Sequence, residues 1–256
     1  GAHRFKVGDR VGVAWLGKSC GHCPFCKAHQ ENLCDNALFT GYQLNGGYAD
    51  YCIAHEEFVF PLTSSLSDLH VAPLLCAGFI GYRAYRMAKK GPNIGFYGFG
   101  SSAHILIQIA RYEKRKVFTF SRKGNTKNEE QAKEAGAYWT GDSETLPPEL
   151  LDAAILFAPV GELVPIALKA LHKGGTLICA GIHMSAIPSF PYALLWGEKE
   201  IKSVSNLTRK DGEELLTIAA KIPIQTSIVS YPLEQANQAL QEFKMGKING
   251  TGILVI

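Results

Sequence analysis

No stretch of this 256-residue chain strings together the roughly 18 apolar residues that a membrane-spanning helix needs. No secretory leader precedes its first apolar segment, Arg10-Val11-Gly12-Val13-Ala14-Trp15-Leu16, so no membrane partner is expected. An excess of one charge is missing too. The 26 Lys and Arg face 23 Asp and Glu, and a formal net charge of +3 is too small and too dispersed to make nucleic acid the partner. With 46% hydrophobic and 19% charged residues, the chain is not disordered, and its length suits one or two domains. An initiator methionine is absent before Gly1-Ala2-His3, so a truncated polypeptide is expected.

Cysteine is present seven times, an odd number that a secreted disulfide framework does not favour. Four gather as Cys20, Cys23, Cys26 and Cys34, spaced C-x2-C-x2-C-x7-C. Thiols at such intervals let one loop wrap an ion, and four thiolates complete a tetrahedral zinc site with no open position, which makes it structural. Lys18 and Lys27 offset part of the net charge of about −2 on such a site. Two other readings stay open. One is an iron–sulfur cluster, although its bacterial spacing continues x3-C-P and Cys34 instead precedes Asp35. The other is a pair of disulfides or free thiols. Cys52 and Cys179 fall in apolar, strand-like runs and read as small buried hydrophobes; Cys76 alone would read the same.

Texture divides the chain in three. Up to about Cys76, short alternating strands with glycine-rich turns are expected, Gly46-Gly47-Tyr48-Ala49-Asp50-Tyr51-Cys52-Ile53 among them, with the cysteine loop projecting. A helix from Ala77 to Lys89 follows. The middle alternates strand candidates (Ile94–Tyr97, Val117–Phe120, Ala153–Phe157, Thr176–Ala180, Ile201–Ser205) with helix candidates (Ser102–Glu113, Asn128–Ala135, Glu162–Leu171). That alternation predicts βαβ units and a doubly wound parallel sheet, with Gly174-Gly175 ending the third helix. The tail, from about Ile222, carries a helix near Leu233–Phe243 and a strand at Gly252–Ile256 that completes the first domain.

At the first strand-to-helix turn stands Gly98-Phe99-Gly100-Ser101-Ser102-Ala103, a G-x-G-x-x-A element. Its first glycine permits the tight turn, its second lets backbone approach a pyrophosphate, and its small last residue lets helix and strand pack closely. The helix N-terminus then offers N–H groups to phosphate. An NAD site carries an acidic residue about 20 positions further on. Here the second strand ends in Ser121-Arg122-Lys123, a hydroxyl and two cations that suit a 2′-phosphate, so NADP(H) is the expected cofactor.

The cysteine loop, Gly46–Tyr51, Leu75-Cys76-Ala77-Gly78 and the glycine-rich turn together resemble the zinc-containing alcohol dehydrogenases of the medium-chain dehydrogenase/reductase superfamily, over essentially the whole chain. The resemblance implies a GroES-like catalytic domain at 1–76 and 222–256 that lacks its N-terminal part, and a Rossmann dinucleotide-binding domain at 77–221. It implies Cys20, Cys23, Cys26 and Cys34 as structural zinc ligands, Cys76 as the last protein ligand of a catalytic zinc, and Trp15 as either a substrate-pocket aromatic or a core residue. Gly98, Gly100, Ser101 and Ser102 match the pyrophosphate turn. Phe157, Ala158, Gly181, Ile182, His183, Asn206 and Leu207 match strand ends lining the nicotinamide channel, His183 equally well in a structural role. The family places a Cys and a Gly-His-Glu element ahead of the position where this chain starts, and His55-Glu56-Glu57 is not that element. Without them Cys76 cannot complete a catalytic zinc site. The implied activity is interconversion of small alcohols and aldehydes or ketones, in a cytoplasmic homodimer or homotetramer. A metal-independent quinone or enone reductase and a non-catalytic nucleotide-binding protein are the alternatives.

Overall fold

The computed structural model describes residues 2–63, 65–88 and 91–256. They divide into one unit made of Gly1–Phe79 with Ser205–Ile256 and a second made of Ile80–Val204.

The first unit opens with β1 (Val11–Val13) and β2 (Leu16–Lys18), then a one-turn helix α1 (Pro24–Lys27) in the cysteine loop, β3 (Leu38–Phe39) and β4 (Val59–Pro61). β1 pairs antiparallel with β4, and β2 with β3. Ala14, Leu16, Phe58, Val59 and Phe60 are buried and form its core side. The run from Gly46 to Ile53, expected as strand, forms none. Gly46 and Gly47 both take positive φ (135° and 92°), which breaks extension. Cys52 is therefore exposed rather than a buried hydrophobe. Further on come α2 (Asp68–Val71) and α3 (Ala77–Met87), the expected linking helix, whose predicted end at Lys89 lies outside the described residues.

The second unit is a six-stranded sheet made of β5 (Asn93–Tyr97), β6 (Lys116–Ser121), β7 (Trp139–Asp142), β8 (Leu151–Leu156), β9 (Leu171–Cys179) and β10 (Glu200–Ser203). Every pairing is parallel, and the spatial order is β10-β9-β8-β5-β6-β7. Helices α4 (Ser101–Tyr112), α5 (Thr126–Glu134) and α6 (Leu163–Ala170) make crossovers. Chain order reverses between β5 and β8, the doubly wound switch point. Strands covered on both faces need continuous apolar runs, and all of β5 is buried, with Tyr97 stacked on Phe120 at 4.1 Å. β7 was not expected, because its Trp-Thr-Gly-Asp sequence carries no apolar run. Gly174-Gly175 does not end α6 but lies within β9. Leu151 pairs with Leu171 and Ala153 with Thr176, so residues 172–175 bulge out, and Gly174 takes a φ of 67° there.

The chain returns to the first unit with α7 (Arg209–Ala219), β11 (Ile228–Pro232), α8 (Ala236–Lys244) and β12 (Thr251–Val255). The expected boundary at residue 221 would have left α7 with the sheet. Instead α7 begins on a reciprocal capping box between Thr208 and Asp211. Its Gly212 lies so close to the Phe60 ring that a Cβ would clash, which fixes the helix against β4. β12 pairs parallel with β11 and so completes this unit.

Candidate functional site

The four loop cysteines come together. Their ligand atoms all lie within 4.8 Å of one another, and Cys20 Sγ is 4.0 Å from Cys26 Sγ. A tetrahedral ion bound to sulfur at about 2.3 Å needs sulfurs about 3.8 Å apart. Among the described residues this is the group of His, Cys, Asp and Glu gathered closely enough to share an ion. Local sequence builds it. Pro24 starts the short α1, and Cys23 as its N-cap accepts from the Cys26 amide at 3.4 Å. The Cys23 amide donates to Cys20 Sγ at 3.3 Å and the Cys20 amide to Cys34 Sγ at 3.4 Å.

These amides favour thiolates. The Cys20 thiol is held down to about 6, first by backbone at His22 and then by the Cys23 amide. Cys23 also receives an amide, from Cys26, but desolvation and its thiol neighbours push it up to about 11. Sulfurs this close compete for ionisation, and a divalent cation relieves that competition. All seven cysteines are free thiols, and the loop's four form one group rather than two pairs. The loop is anchored within its own unit. Buried Glu31 accepts from the Arg209 amide at 2.8 Å and Nε at 3.1 Å, and Asn32 Nδ2 donates to Ser205 O at 2.7 Å.

Cys76 stands apart from that group. It lies between a 3-10 turn and α3, and no ligand group among the described residues includes it. Trp15 is not a core residue: it is 43% exposed and stacks on Phe39 at 5.2 Å and Tyr42 at 6.3 Å.

In the second unit the glycine-rich turn leaves the carboxyl end of β5 at the switch point. Gly98 has a φ of 93°, and a Cβ there would meet the Ala158 backbone N at 3.3 Å. A Cβ on Gly100 would meet nothing within 4 Å, so this surface lies open beside the start of α4. Gly100 is the N-cap and no side-chain hydrogen bond caps it, and the helix dipole at this end favours an anion. Ala103 is fully buried, as close packing of helix on strand requires. Burial holds His104 below the ordinary imidazole range.

The other candidates of this unit lie at neighbouring strand ends. The amides of Phe157 and Ala158 donate to Tyr97 O at 2.9 and 3.1 Å, and those of Ala180 and Gly181 to Leu156 O at 2.9 and 3.0 Å, which stitches three strand ends together. A Cβ on Gly181 would approach Pro159 Cα to 2.8 Å. Ile182 is exposed, and His183 takes a φ of 57°. Ser121 is buried at the end of β6, with Arg122 and Lys123 exposed after it. Asn206, at a φ of 52°, and buried Leu207 belong to the first unit, just before α7.

Sequence reasoning missed two residues that tie these ends down. Ser185 Oγ accepts from the Gly161 amide at 2.8 Å and donates to Glu162 at 3.2 Å, joining the loops after β8 and β9. Glu129 accepts from the Ser121 hydroxyl at 3.2 Å. No local pattern marks either one.

The alcohol dehydrogenase GroES-like domain family matches residues 1–64. The chain is 42% identical over 255 residues to the probable alcohol dehydrogenase AdhA of Mycobacterium tuberculosis, covering 98% of this chain and 73% of that protein. It is 33% identical to an alcohol dehydrogenase of Geobacillus stearothermophilus, covering 100% and 78%. Among solved structures, a Helicobacter pylori enzyme abbreviated CAD and complexed with NADP(H) aligns with a TM-score of 0.85 at 25% identity, over 98% of this chain and 76% of that one. A sorghum cinnamyl alcohol dehydrogenase shares the fold, with a TM-score of 0.87 at 23% identity, over 98% and 76%. With this fold, this turn and these relatives, the chain belongs to the alcohol dehydrogenases of the medium-chain dehydrogenase/reductase superfamily.

Proposed function

We propose that the protein interconverts small alcohols with aldehydes or ketones by hydride transfer with NADP(H), and that its cysteine loop holds a structural zinc. The observation that carries this reading is the open, uncapped Gly98–Ala103 turn at the switch point of the sheet, in a chain whose relatives are named alcohol dehydrogenases. When bound, the nicotinamide supplies or accepts the hydride.

The chain's own residues bind and orient. Gly98 and Gly100 leave room for a pyrophosphate, and the amides at Ser101 and Ser102 receive its charge. Arg122 and Lys123 supply the charge for a 2′-phosphate beside Ser121, and the H. pylori neighbour with its NADP(H) supports that choice. Phe157, Ala158, Gly181, Ile182 and His183 position the nicotinamide half, because ligands sit at carboxyl ends of parallel strands. Asn206 and Leu207 are proposed cofactor contacts on family resemblance alone, and Trp15 a substrate contact on the same ground.

Four thiolates fill a zinc completely, so an ion in the loop braces the first unit and takes no part in chemistry. Cys76 can supply one ligand, but the described residues gather no three-ligand set around it, and no step is drawn through a metal there. Free thiols suit a reducing, cytoplasmic setting. The test is elemental analysis together with aldehyde reduction by the purified protein. One tightly held zinc per chain and consumption of NADPH in preference to NADH are expected. Thiols oxidised in pairs, or no reduction with either nucleotide, would contradict the reading.

A further inference from the structure

The hydrogen bond between Ser121 and Glu129 carries a consequence for cofactor choice. Ser121 ends β6, where a dinucleotide's adenosine ribose is read in such sheets. Its hydroxyl donates to Glu129 Oε1 at 3.2 Å. The turn between them is fixed: the Asn125 amide donates to Arg122 O at 2.9 Å, and Asn125 Oδ1 accepts from the Asn128 amide at 3.2 Å, capping α5. Glu129 is thereby held in the first turn of α5, where the helix dipole favours a carboxylate.

A serine hydroxyl has one proton to give. A 2′-phosphate only accepts near neutral pH and needs that proton, which Glu129 already takes. A ribose 2′-OH can donate to the carboxylate and accept elsewhere. Asp142, the register partner of Ser121 on β7, has its Oδ1 engaged by the Glu144 amide at 2.8 Å, while Arg122 and Lys123 supply positive charge on the adjoining turn.

We propose that Glu129 is a positioning residue that sets cofactor specificity: it holds the Ser121 proton and places a negative charge at the ribose pocket, so it restrains the preference for a 2′-phosphate that Arg122 and Lys123 create. The inference rests on the reading of the β6 end as the 2′ subsite.

The experiment measures dissociation constants of NADPH, NADH, 2′,5′-ADP and 5′-AMP for the full chain and for Glu129→Gln. Glu129→Gln keeps the shape and removes the charge, and its amide Nε2 can turn to donate to Ser121 Oγ, which releases the hydroxyl proton. The NADH-to-NADPH ratio of dissociation constants should rise roughly tenfold, the effect of about one charge-assisted hydrogen bond, and 2′,5′-ADP should tighten in parallel while 5′-AMP does not. An unchanged or lowered ratio overturns the proposal. In a Ser121→Ala background the Glu129→Gln effect should shrink, and an undiminished effect would overturn the role given to the proton. If the unaltered protein prefers NADH yet Glu129→Gln still raises the ratio, the NADP(H) reading fails and the role of Glu129 stands.

Discussion

The sheet unit and the cysteine loop hold their shapes by opposite means. In the sheet, β5 is buried along its whole length, and Phe96, Phe118 and Ile155 have no exposed surface. Removing such area from water stabilises at about 25 cal/mol per Å², which is enough to order strands and helices without further aid. The loop has no such core. None of the residues of α1 is buried, and its geometry is kept by amide-to-sulfur bonds and by the Glu31–Arg209 and Asn32–Ser205 anchors. A region ordered by four sulfurs depends on what those sulfurs bind; a region ordered by packing does not.

The sharpest way to break this contrast is to remove one sulfur. Cys34 is the buried member of the set, and Cys34→Ser should strip the proposed zinc. Binding of a structural thiolate-held zinc is worth on the order of 10 kcal/mol, and that energy is folding energy for the segment it orders. Limited proteolysis should therefore open the chain between residues 19 and 40 while the sheet stays resistant. Equal protection of the loop in the variant would refute its dependence on metal. Chelator treatment of the unaltered protein should give the same cleavage pattern.

A smaller effect separates two glycines inside the nucleotide turn. Gly98→Ala forces a side chain into left-handed backbone and against Ala158, costing about 1–2 kcal/mol of stability as read by denaturant unfolding. A Cβ at Gly100 meets open space, so Gly100→Ala should lose less stability than Gly98→Ala while NADPH affinity falls by about an order of magnitude, because the added atom sits where a pyrophosphate approaches. A stability loss at Gly100 matching that at Gly98 would show that its glycine serves the fold, not the ligand.

The smallest effect belongs to a surface pair on the sheet. Lys116 Nζ bonds both carboxylate oxygens of Glu149, at 2.7 and 2.9 Å. The ammonium holds Glu149 below its ordinary range, and the carboxylate holds Lys116 above its own. The contribution of Glu149 is therefore present above the ordinary carboxylate range and is lost as pH falls through its lowered folded value. That of Lys116 is present below the ordinary ammonium range and is lost as pH rises past its raised value. Lys116→Met should flatten the acid limb of the stability curve slightly, most visibly at low salt, since exposed pairs are screened. An unchanged acid limb would mean the pair contributes nothing measurable.

What could be read from sequence follows the same division. Short strand-like runs alternating with helical segments marked β5, β6, β8, β9 and β10, and a spaced set of thiols marked the loop, because both signals are local. β7 escaped because its partner β6, not its own composition, makes it a strand. Tyr51 and Ile53 alternate as a strand would, yet two left-handed glycines ahead of them and the lack of a pairing strand among the described residues leave them exposed. α7 was assigned to the wrong unit because its placement depends on Phe60 and Glu31, far away in sequence. Within the candidate site, the glycines and Ser121 were legible as motif members. Glu129 was not, since a carboxylate in the first turn of a helix is ordinary until a buried hydroxyl is found donating to it.

The central claim is that the carboxyl ends of β5, β6 and β8 receive a 2′-phosphorylated dinucleotide. Hydrogen-exchange mass spectrometry of the full chain with and without saturating NADPH tests it most directly. Protection should concentrate at residues 97–104, 121–125 and 157–160, with little change in the cysteine loop. Protection confined to other segments, or none at a concentration where NADPH is bound, would contradict the account.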